Sequence, residues 1–485
     1  MSAAPADWPD DDKARPRWDR LDVVVTGIGV AGFAAADALV QLGARVCVLD
    51  DIDGTEQQEK ATILQILGAD VRLGAGATAA LPDRCDLVVT SPGLRPTNPA
   101  LVAAAARGVP VWGDVELAWR LRDPDQAAPW LCVTGTNGKT TTVRMLAAML
   151  SAAGLRAAAA GNIGTPLLEV VLHPQPYDVL AVELSSFQLH WTHSMSAESA
   201  VVLNLADDHT DWHGSAAAYR EDKGRIYARC QRACVYNAED AATRCLVEEA
   251  EVTEGCRAVG FTLGVPSVGM LGVVDGVLAD RAFVAGRRTM AAELGAVDDV
   301  APAAPHNVAN ALAAAALARA HGVAPAAVRA GLRHFTPEPH RIADVAVVSG
   351  VRFVDDSKAT NPHAAQASLA AYTKVVWIAG GLAKGAAFDD LVRTASPRLR
   401  GAVLLGADRA AIAAALARHA PDVPVIDVAA TDTGAMEAVV RAAAALAHPG
   451  DTVLLAPACA SMDMFSDYAA RGAAFAEAVR RLASD

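Results

Sequence analysis

The chain has 485 residues, which at roughly 150 residues per domain points to about three domains. Hydrophobic residues make up 53% and aromatics only 5%, which excludes a mostly disordered chain and leaves alanine as a main source of helix. The formal net charge of −13 argues against a non-specific nucleic-acid binder or a binder of anionic membranes. In chain order, residues 1–19 read as a polar tail carrying Asp7, Asp10, Asp11 and Asp12, without the basic start and apolar run of a signal peptide. The first globular stretch has short apolar runs at Asp22–Gly27, Arg45–Asp50, Asp86–Thr90 and Val109–Gly113, alternating with alanine-rich helix such as Ala34–Leu42. That rhythm predicts a parallel sheet of βαβ units. A helical connector from Val115 to Leu121 leads to a second α/β block with strands at Trp130–Thr134, Asp178–Glu183 and Ala200–Asn204. β-Hairpins follow between Gly269 and Arg287, then an alanine-rich helix from Val308 to Ala320. The prolines in Phe335–His340 mark a boundary. Beyond it the α/β rhythm resumes with strands at Val375–Ala379, Ala402–Leu405, Val423–Asp427 and Thr452–Ala456.

No apolar stretch is long enough to span a bilayer, so a soluble, cytoplasmic protein is expected. The eight cysteines are scattered and form no CxxC pair. Cys230 and Cys234 have a spacing that suggests metal, but no second pair or histidine couple beside them completes a zinc set. Reduced thiols fit better.

Three kinds of loop carry chemistry. Gly27-Ile-Gly-Val-Ala-Gly32 follows a strand and opens a helix, with Asp50 ending the next strand. Its glycines let backbone amides approach a diphosphate. Thr134-Gly-Thr-Asn-Gly-Lys-Thr140 is a P-loop variant: Lys139 suits β/γ-phosphates and the Thr140 hydroxyl suits Mg²⁺. Glu183, at the end of a strand, and the ligand-dense Leu205–His213 run add oxygen donors. Zinc is the competing reading for His209 and His213, but the dominant oxygen donors favour Mg²⁺. Lys223 by itself reads as a solvated helix lysine. In the third block, Asp355–Asn361, Gly380–Lys384 and Pro457–Asp463 all end strands, where parallel sheets place polar ligands.

Together these residues resemble the Mur ligases, ATP-dependent amide-forming enzymes of peptidoglycan precursor synthesis. The resemblance runs from about Asp22 to the C-terminus. It rests on Thr134–Thr140, Gly161-Asn-Ile-Gly164, Glu183-Leu-Ser-Ser-Phe-Gln-Leu189, Asp208-His209, His306-Asn-Val-Ala-Asn310, Pro339-His-Arg341, Asp356–Asn361 and Ser461–Gly472. The Glu183–Leu189 run and the last motif point to the branch that adds D-glutamate. The resemblance implies three domains: a Rossmann-like UDP-sugar domain at 20–117, a P-loop ATPase-type domain with extra β-hairpins at 118–338, and a Rossmann-like amino-acid domain at 339–485.

It further implies that the first glycine loop holds UDP, through Gly29, Val30, Ala31 and Asp50, with Ser91, Gly93 and Asn162 at the diphosphate and sugar. ATP, the co-substrate, would meet Gly135, Thr136, Asn137, Gly138, Lys139, Thr140, Thr141, Asn307, Asn310, Arg341, Asp356 and Lys358. Of two Mg²⁺ ions, Thr140 and Glu183 would hold one; His209 and a carbamate on Lys223 would hold the other. Lys139, His209, Lys223 and Lys358 would be the catalytic groups. D-Glutamate would meet Thr360, Lys384, Ser461 and Tyr468. The substrates would be ATP, D-glutamate and UDP-N-acetylmuramoyl-L-alanine, acted on by a monomer without nucleic acid or membrane insertion. The alternative is a Mur ligase with a different amino-acid acceptor; a nicotinamide dehydrogenase is the rival from another class. Three departures fall at the substrate ends: Tyr468 where the family commonly has Phe, Leu382-Ala383 in place of a more polar pair, and Asp51-Ile52 without a basic partner.

Overall fold

The computed structural model describes residues 16–123, 125–206, 208–429 and 434–484; most of the acidic tail, and Asp207 of the ligand-dense run, lie outside them. The chain folds as two compact units. One comprises residues up to Asp299 together with Ala309–Phe335, and the other comprises Val300–Val308 and the chain from Thr336 on.

The first unit holds two sheets. Strands β1 (Asp22–Thr26), β2 (Arg45–Asp50), β3 (Asp70–Leu73), β4 (Leu87–Thr90) and β5 (Val111–Gly113) form a parallel sheet in the order β3-β2-β1-β4-β5. The order reverses at β1, so the glycine loop after β1 opens at the switch point where such sheets bind ligands. Trp18, in a short 3₁₀ turn before β1, is buried in the core. Its indole belongs with the globular part of the chain.

The second sheet comprises β6 (Trp130–Thr134), β7 (Ala157–Gly161), β8 (Val179–Glu183), β9 (Ser199–Val202), β10 (Ala233–Asn237), β11 (Arg257–Phe261), β12 (Met270–Val274), β13 (Val277–Asp280) and β14 (Ala292–Ala296). Its order is β14-β13-β12-β11-β10-β9-β6-β8-β7, parallel from β7 through β12 and antiparallel across β12-β13-β14. β6 and β8 are buried at every residue, as a parallel sheet covered on both faces requires. β7 is a run of alanines, a helix former, yet it pairs with β8 from Ala157 opposite Val179 to Gly161 opposite Glu183. Here sheet pairing overrides local propensity.

The connector forms the helix Asp114–Leu121 and is almost wholly buried. Glu116 accepts hydrogen bonds from the backbone of His193 and Ser194 at 2.8 and 2.9 Å and from Ser194 Oγ at 2.6 Å, and pairs with Arg120 at 2.7 Å. Against the cost of burial, these partners hold its carboxyl below the usual range. Trp119 packs edge-on against Trp130 at 5.0 Å, so the two sheets share one core.

The second unit has one sheet: β15 (Ala343–Val348), β16 (Val351–Asp355), β17 (Val375–Gly380), β18 (Leu399–Leu405), β19 (Val425–Asp427) and β20 (Thr452–Leu455), ordered β15-β16-β20-β17-β18-β19. All pairs are parallel except β15 with β16. Helices cover both faces, giving two cores, one around Trp377 and one around Phe475. Among the described residues no helix is long and apolar enough to cross a membrane.

Candidate functional site

The glycine loop after β1 is shaped by close backbone approach. Gly27 has φ +88°, and a Cβ on Gly32 would lie 1.8 Å from the Gly27 carbonyl oxygen, so both positions require glycine. Asp50 accepts from the amides of Ile28 (2.7 Å) and Ile52 (2.9 Å), and Ser91 Oγ donates to Gly27 O at 3.2 Å. Asp50 and Ser91 therefore brace the loop. Gly29 and Gly93 have open space beside them, and Val30 is 65% exposed at the start of the helix Val30–Gln41 that also carries Ala31. That helix N-terminus favours an anion.

The second loop leaves β6 and enters the helix Lys139–Ala152. Gly138 has φ +86°, and a Cβ there would meet Asn310 Oδ1 at 2.4 Å, which fixes Asn310 against the loop. Asn137 N donates to Asn204 Oδ1 at 2.9 Å. Thr136 Oγ1 lies 3.0 Å from Tyr219 OH. Thr140 and Thr141 occupy the first helical turn. The amines of Lys139 and Lys223 both donate to the Gly135 carbonyl, at 2.9 and 3.0 Å, and Lys223 Nζ also reaches Thr134 Oγ1 at 3.2 Å.

Lys223 is buried. Desolvation first, and the Lys139 charge second, drive its pKa well below that of an ordinary lysine, against the pull of Asp208 and Glu183. The sequence by itself reads Lys223 as solvated; the fold places it in the core of the site, because the helix Ala216–Gly224 turns it inward. His209 sits at φ +51° before a short helix, with its pKa lowered by burial and by the two lysines. A neutral imidazole is the form that ligates metal.

Glu183 is buried. One oxygen accepts from Asn162 Nδ2 at 3.0 Å, and Oε2 has no hydrogen-bond partner. A buried carboxylate oxygen without a donor fits a hard cation, so these residues fit Mg²⁺. Asn162 is thereby tied to Glu183 as well as to the glycine turn, because β7 and β8 pair at Gly161 and Glu183. His213 resolves differently: Nδ1 meets Asp222 at 2.9 Å and Nε2 meets Ser186 Oγ at 3.0 Å. With both nitrogens engaged it is a brace, and the competing zinc pair of His209 and His213 lapses. Tyr219, Asn204 and Asp222 are site neighbours that motif reading passed over; Tyr219 and Asp222 stand in the same run as Lys223, four and one residues before it.

In the second unit, Asp356 is buried and accepts from Ser368 Oγ and, at 3.3 Å, from the Ile342 amide. Burial raises its pKa to about 6, against the hydrogen bond from Ser368 and the nearby Arg341 charge. Arg341 Nε donates to Glu338 at 3.0 Å, and Asn307 Nδ2 to the Pro302 carbonyl at 3.3 Å. Lys358 Nζ lies 3.7 Å from the centre of the Tyr468 ring, a cation–π contact. Thr360 N donates to Lys358 O at 2.8 Å. Ser461 is buried in the loop after β20, whereas Lys384 is exposed at φ +50°. Buried Arg471 ties two of these loops together, donating to Ser357 Oγ (3.0 Å), Ser357 O (2.9 Å) and Cys459 O (3.1 Å).

Three successive α/β sheets, with a phosphate-type loop in the second, define an architecture of the nucleotide-binding type, and comparison with known proteins gives its family. Residues 21–113 match the N-terminal domain of MurD-like Mur ligases, 133–318 the Mur ligase middle domain, and 340–459 the Mur ligase glutamate ligase domain. The UDP-N-acetylmuramoylalanine–D-glutamate ligase of Streptomyces avermitilis is 64% identical, over 96% of this chain and 99% of the relative. The enzyme of the same name from Thermobifida fusca is 60% identical, over 95% and 98%. Among solved structures, the UDP-N-acetylmuramate–alanine ligase of Thermotoga maritima shares the fold, with a TM-score of 0.55 and 20% identity over 96% of this chain and 100% of that one. The chain belongs to the Mur ligase family, in the group of the UDP-N-acetylmuramoylalanine–D-glutamate ligases.

Proposed function

We propose that the chain joins D-glutamate to UDP-N-acetylmuramoyl-L-alanine with hydrolysis of ATP to ADP and phosphate, as a cytoplasmic monomer. The observation that carries the reading is the meeting of Lys139, Lys223 and the unpartnered Glu183 oxygen around the loop after β6. A carboxylate resists amine attack because it is anionic and its leaving group is poor. Its oxygen therefore attacks the γ-phosphorus of ATP, ADP leaves, and an acyl phosphate results. The neutral amine of D-glutamate adds to the acyl carbon, its nitrogen gives up one proton to solvent, and the tetrahedral intermediate expels phosphate. No side-chain nucleophile is required.

The chain's residues supply positioning and charge. Loop amides from Gly135 to Thr141 cradle the phosphates, and Lys139 pairs with the β/γ-phosphates. Asn307, Asn310, Arg341, Asp356 and Lys358 complete the nucleotide contacts. Thr140 and Glu183 would hold one Mg²⁺, and His209 with a carbamate on Lys223 would hold a second. Bound Mg²⁺ offsets the charge of the phosphates. Lys223 is prepared for the carbamate, since its depressed pKa supplies the neutral amine that adds to CO₂ with loss of one proton. Gly29, Val30, Ala31, Asp50, Ser91, Gly93 and Asn162 hold the nucleotide sugar; Thr360, Lys384, Ser461 and Tyr468 receive D-glutamate. The test is phosphate release with UDP-N-acetylmuramoyl-L-alanine and ATP while the amino acid is varied. D-Glutamate should drive turnover; equal turnover with L-glutamate, L-alanine or diaminopimelate would defeat the acceptor assignment.

A further inference from the structure

Away from this site, three of the eight cysteines converge. Cys230 lies before β10, Cys234 is the second residue of β10, and Cys256 immediately precedes β11. β10 and β11 are parallel neighbours with Ala233 opposite Arg257 and Cys234 opposite Ala258, so the residue entering β11 comes beside the start of β10. One sulfur from each cysteine lies within 4.8 Å of the other two. Cys234 Sγ and Cys256 Sγ are 3.8 Å apart. All three are free thiols; Cys230 and Cys234 are buried, while Cys256 is half-buried and gives the group a route to solvent. The group stands at the N-terminal ends of its strands. Because β6, β9, β10 and β11 run in the same direction, the loop carrying Lys139 leaves the opposite edge of the sheet.

We propose that Cys230, Cys234 and Cys256 form a binding site for a thiophilic divalent ion of the Zn²⁺ class, separate from the nucleotide site. Sulfur–zinc bonds of about 2.3 Å in a tetrahedron place ligating sulfurs about 3.8 Å from one another, which matches the Cys234–Cys256 separation. A disulfide would need about 2.05 Å, would use two of the three sulfurs, and would leave Cys230 without a role. Binding replaces three protons by one ion: three S–H bonds give three sulfur–metal bonds, the protons pass to solvent, and no electron changes hands. The complex carries one net negative charge. Solvent entering past Cys256 supplies the fourth ligand. Soft sulfur donors do not take Mg²⁺, so this group and Glu183 select different ions.

The experiment is titration of the reduced full-length protein with Co²⁺ as a coloured stand-in for Zn²⁺. One equivalent should produce thiolate-to-cobalt charge-transfer and tetrahedral d–d bands, abolished by Zn²⁺ and untouched by Mg²⁺. Cys256→Ser should lose the bands, and Cys245→Ser, at an exposed thiol outside the cluster, should keep them. In the unmutated protein, Zn²⁺ should block alkylation of Cys256 and leave Cys245 reactive. Absence of a thiolate band at one equivalent, its persistence in Cys256→Ser, or alkylation of Cys256 unchanged by Zn²⁺ would each overturn the site. So would a Cys234–Cys256 disulfide that forms under diamide as readily with Zn²⁺ as without it.

Discussion

Lys223 is decided by its surroundings. As an ammonium it would face the Lys139 charge in a buried site, at the one carbonyl both amines share. A carbamate reverses its charge and supplies oxygen ligands. Lys223→Ala should therefore lower turnover by on the order of 100-fold or more, as loss of a preorganised charge does. Acetate or formate should restore part of the phosphate release by filling the vacated space. Full activity of the variant would mean the lysine is structural only. Lys139→Ala should abolish turnover while UDP-substrate binding, followed by calorimetry, stays intact, since that ligand is assigned to the loop after β1. Retained ATP hydrolysis would count against the phosphate contact.

Asp356 makes a pH prediction. Its carboxyl titrates at about 6 when folded, against 3.8 ordinarily, so between those values the folded protein keeps a proton that the unfolded chain gives up. Stability from this group is greatest in acid and falls as pH rises toward 6, by about 3 kcal/mol in all. Asp356→Asn should thus gain on the unmutated protein by about 2 kcal/mol between pH 4 and pH 7, read from denaturant midpoints at the two values, since at pH 4 the unfolded carboxyl is already more than half ionised. A difference independent of pH would show that the burial cost is offset elsewhere.

At the scale of elements, the loop from β6 into the helix Lys139–Ala152 depends on one left-handed residue. Gly138→Ala combines φ +86° with a Cβ 2.4 Å from Asn310 Oδ1. It should cost about 1–3 kcal/mol and raise the KM for ATP, because Asn310 must be pushed away from the loop. Urea unfolding and ATP-dependent kinetics measure the two effects, and an unchanged KM would separate Asn310 from the nucleotide. The helix Asp114–Leu121 shows the converse case. Its sequence reads as a connector, yet Asp114 accepts from Gln188 at 3.0 Å and Glu116 from Ser194, so it is part of the packing around the Glu183–Leu189 segment.

For the whole molecule, the assigned residues divide between the two compact units, with Lys139, Glu183, His209, Lys223 and Asn310 in one and Asn307, Arg341, Asp356, Lys358 and Lys384 in the other. Assignments in the second unit can be tested separately from those in the first. Lys384→Ala should raise the KM for D-glutamate several-fold while leaving the KM for ATP unchanged. The lysine is exposed at the end of a strand and suits a side-chain carboxylate. An unchanged KM for D-glutamate would remove it from the acceptor contacts.

The sequence by itself determined the α/β class, most of the central strands and the loops with chemistry. Val23–Val25, Trp130–Val133 and Val375–Ile378 are short runs of buried apolar residues, and the motifs at Thr134–Thr140 and Glu183–Leu189 are local. The edge strands β5 and β19 are expected from it at Val109–Gly113 and Val423–Asp427, but β10 and β11 inside the second sheet escaped it, and so did the edge strand β7: Ala157–Gly161 favours helix by composition and becomes β7 only through its neighbour β8. The zinc reading of His209 and His213 could be settled only by the partners of His213, which lie 27 residues upstream and 9 downstream. Lys223 reads as solvated until the fold buries it beside Lys139, and Cys256 joins Cys230 and Cys234 only through the pairing of β10 with β11. Periodicity and motif are properties of neighbouring residues along the chain. Burial, charge proximity and strand register depend on segments far apart in sequence, and only tertiary structure brings those together.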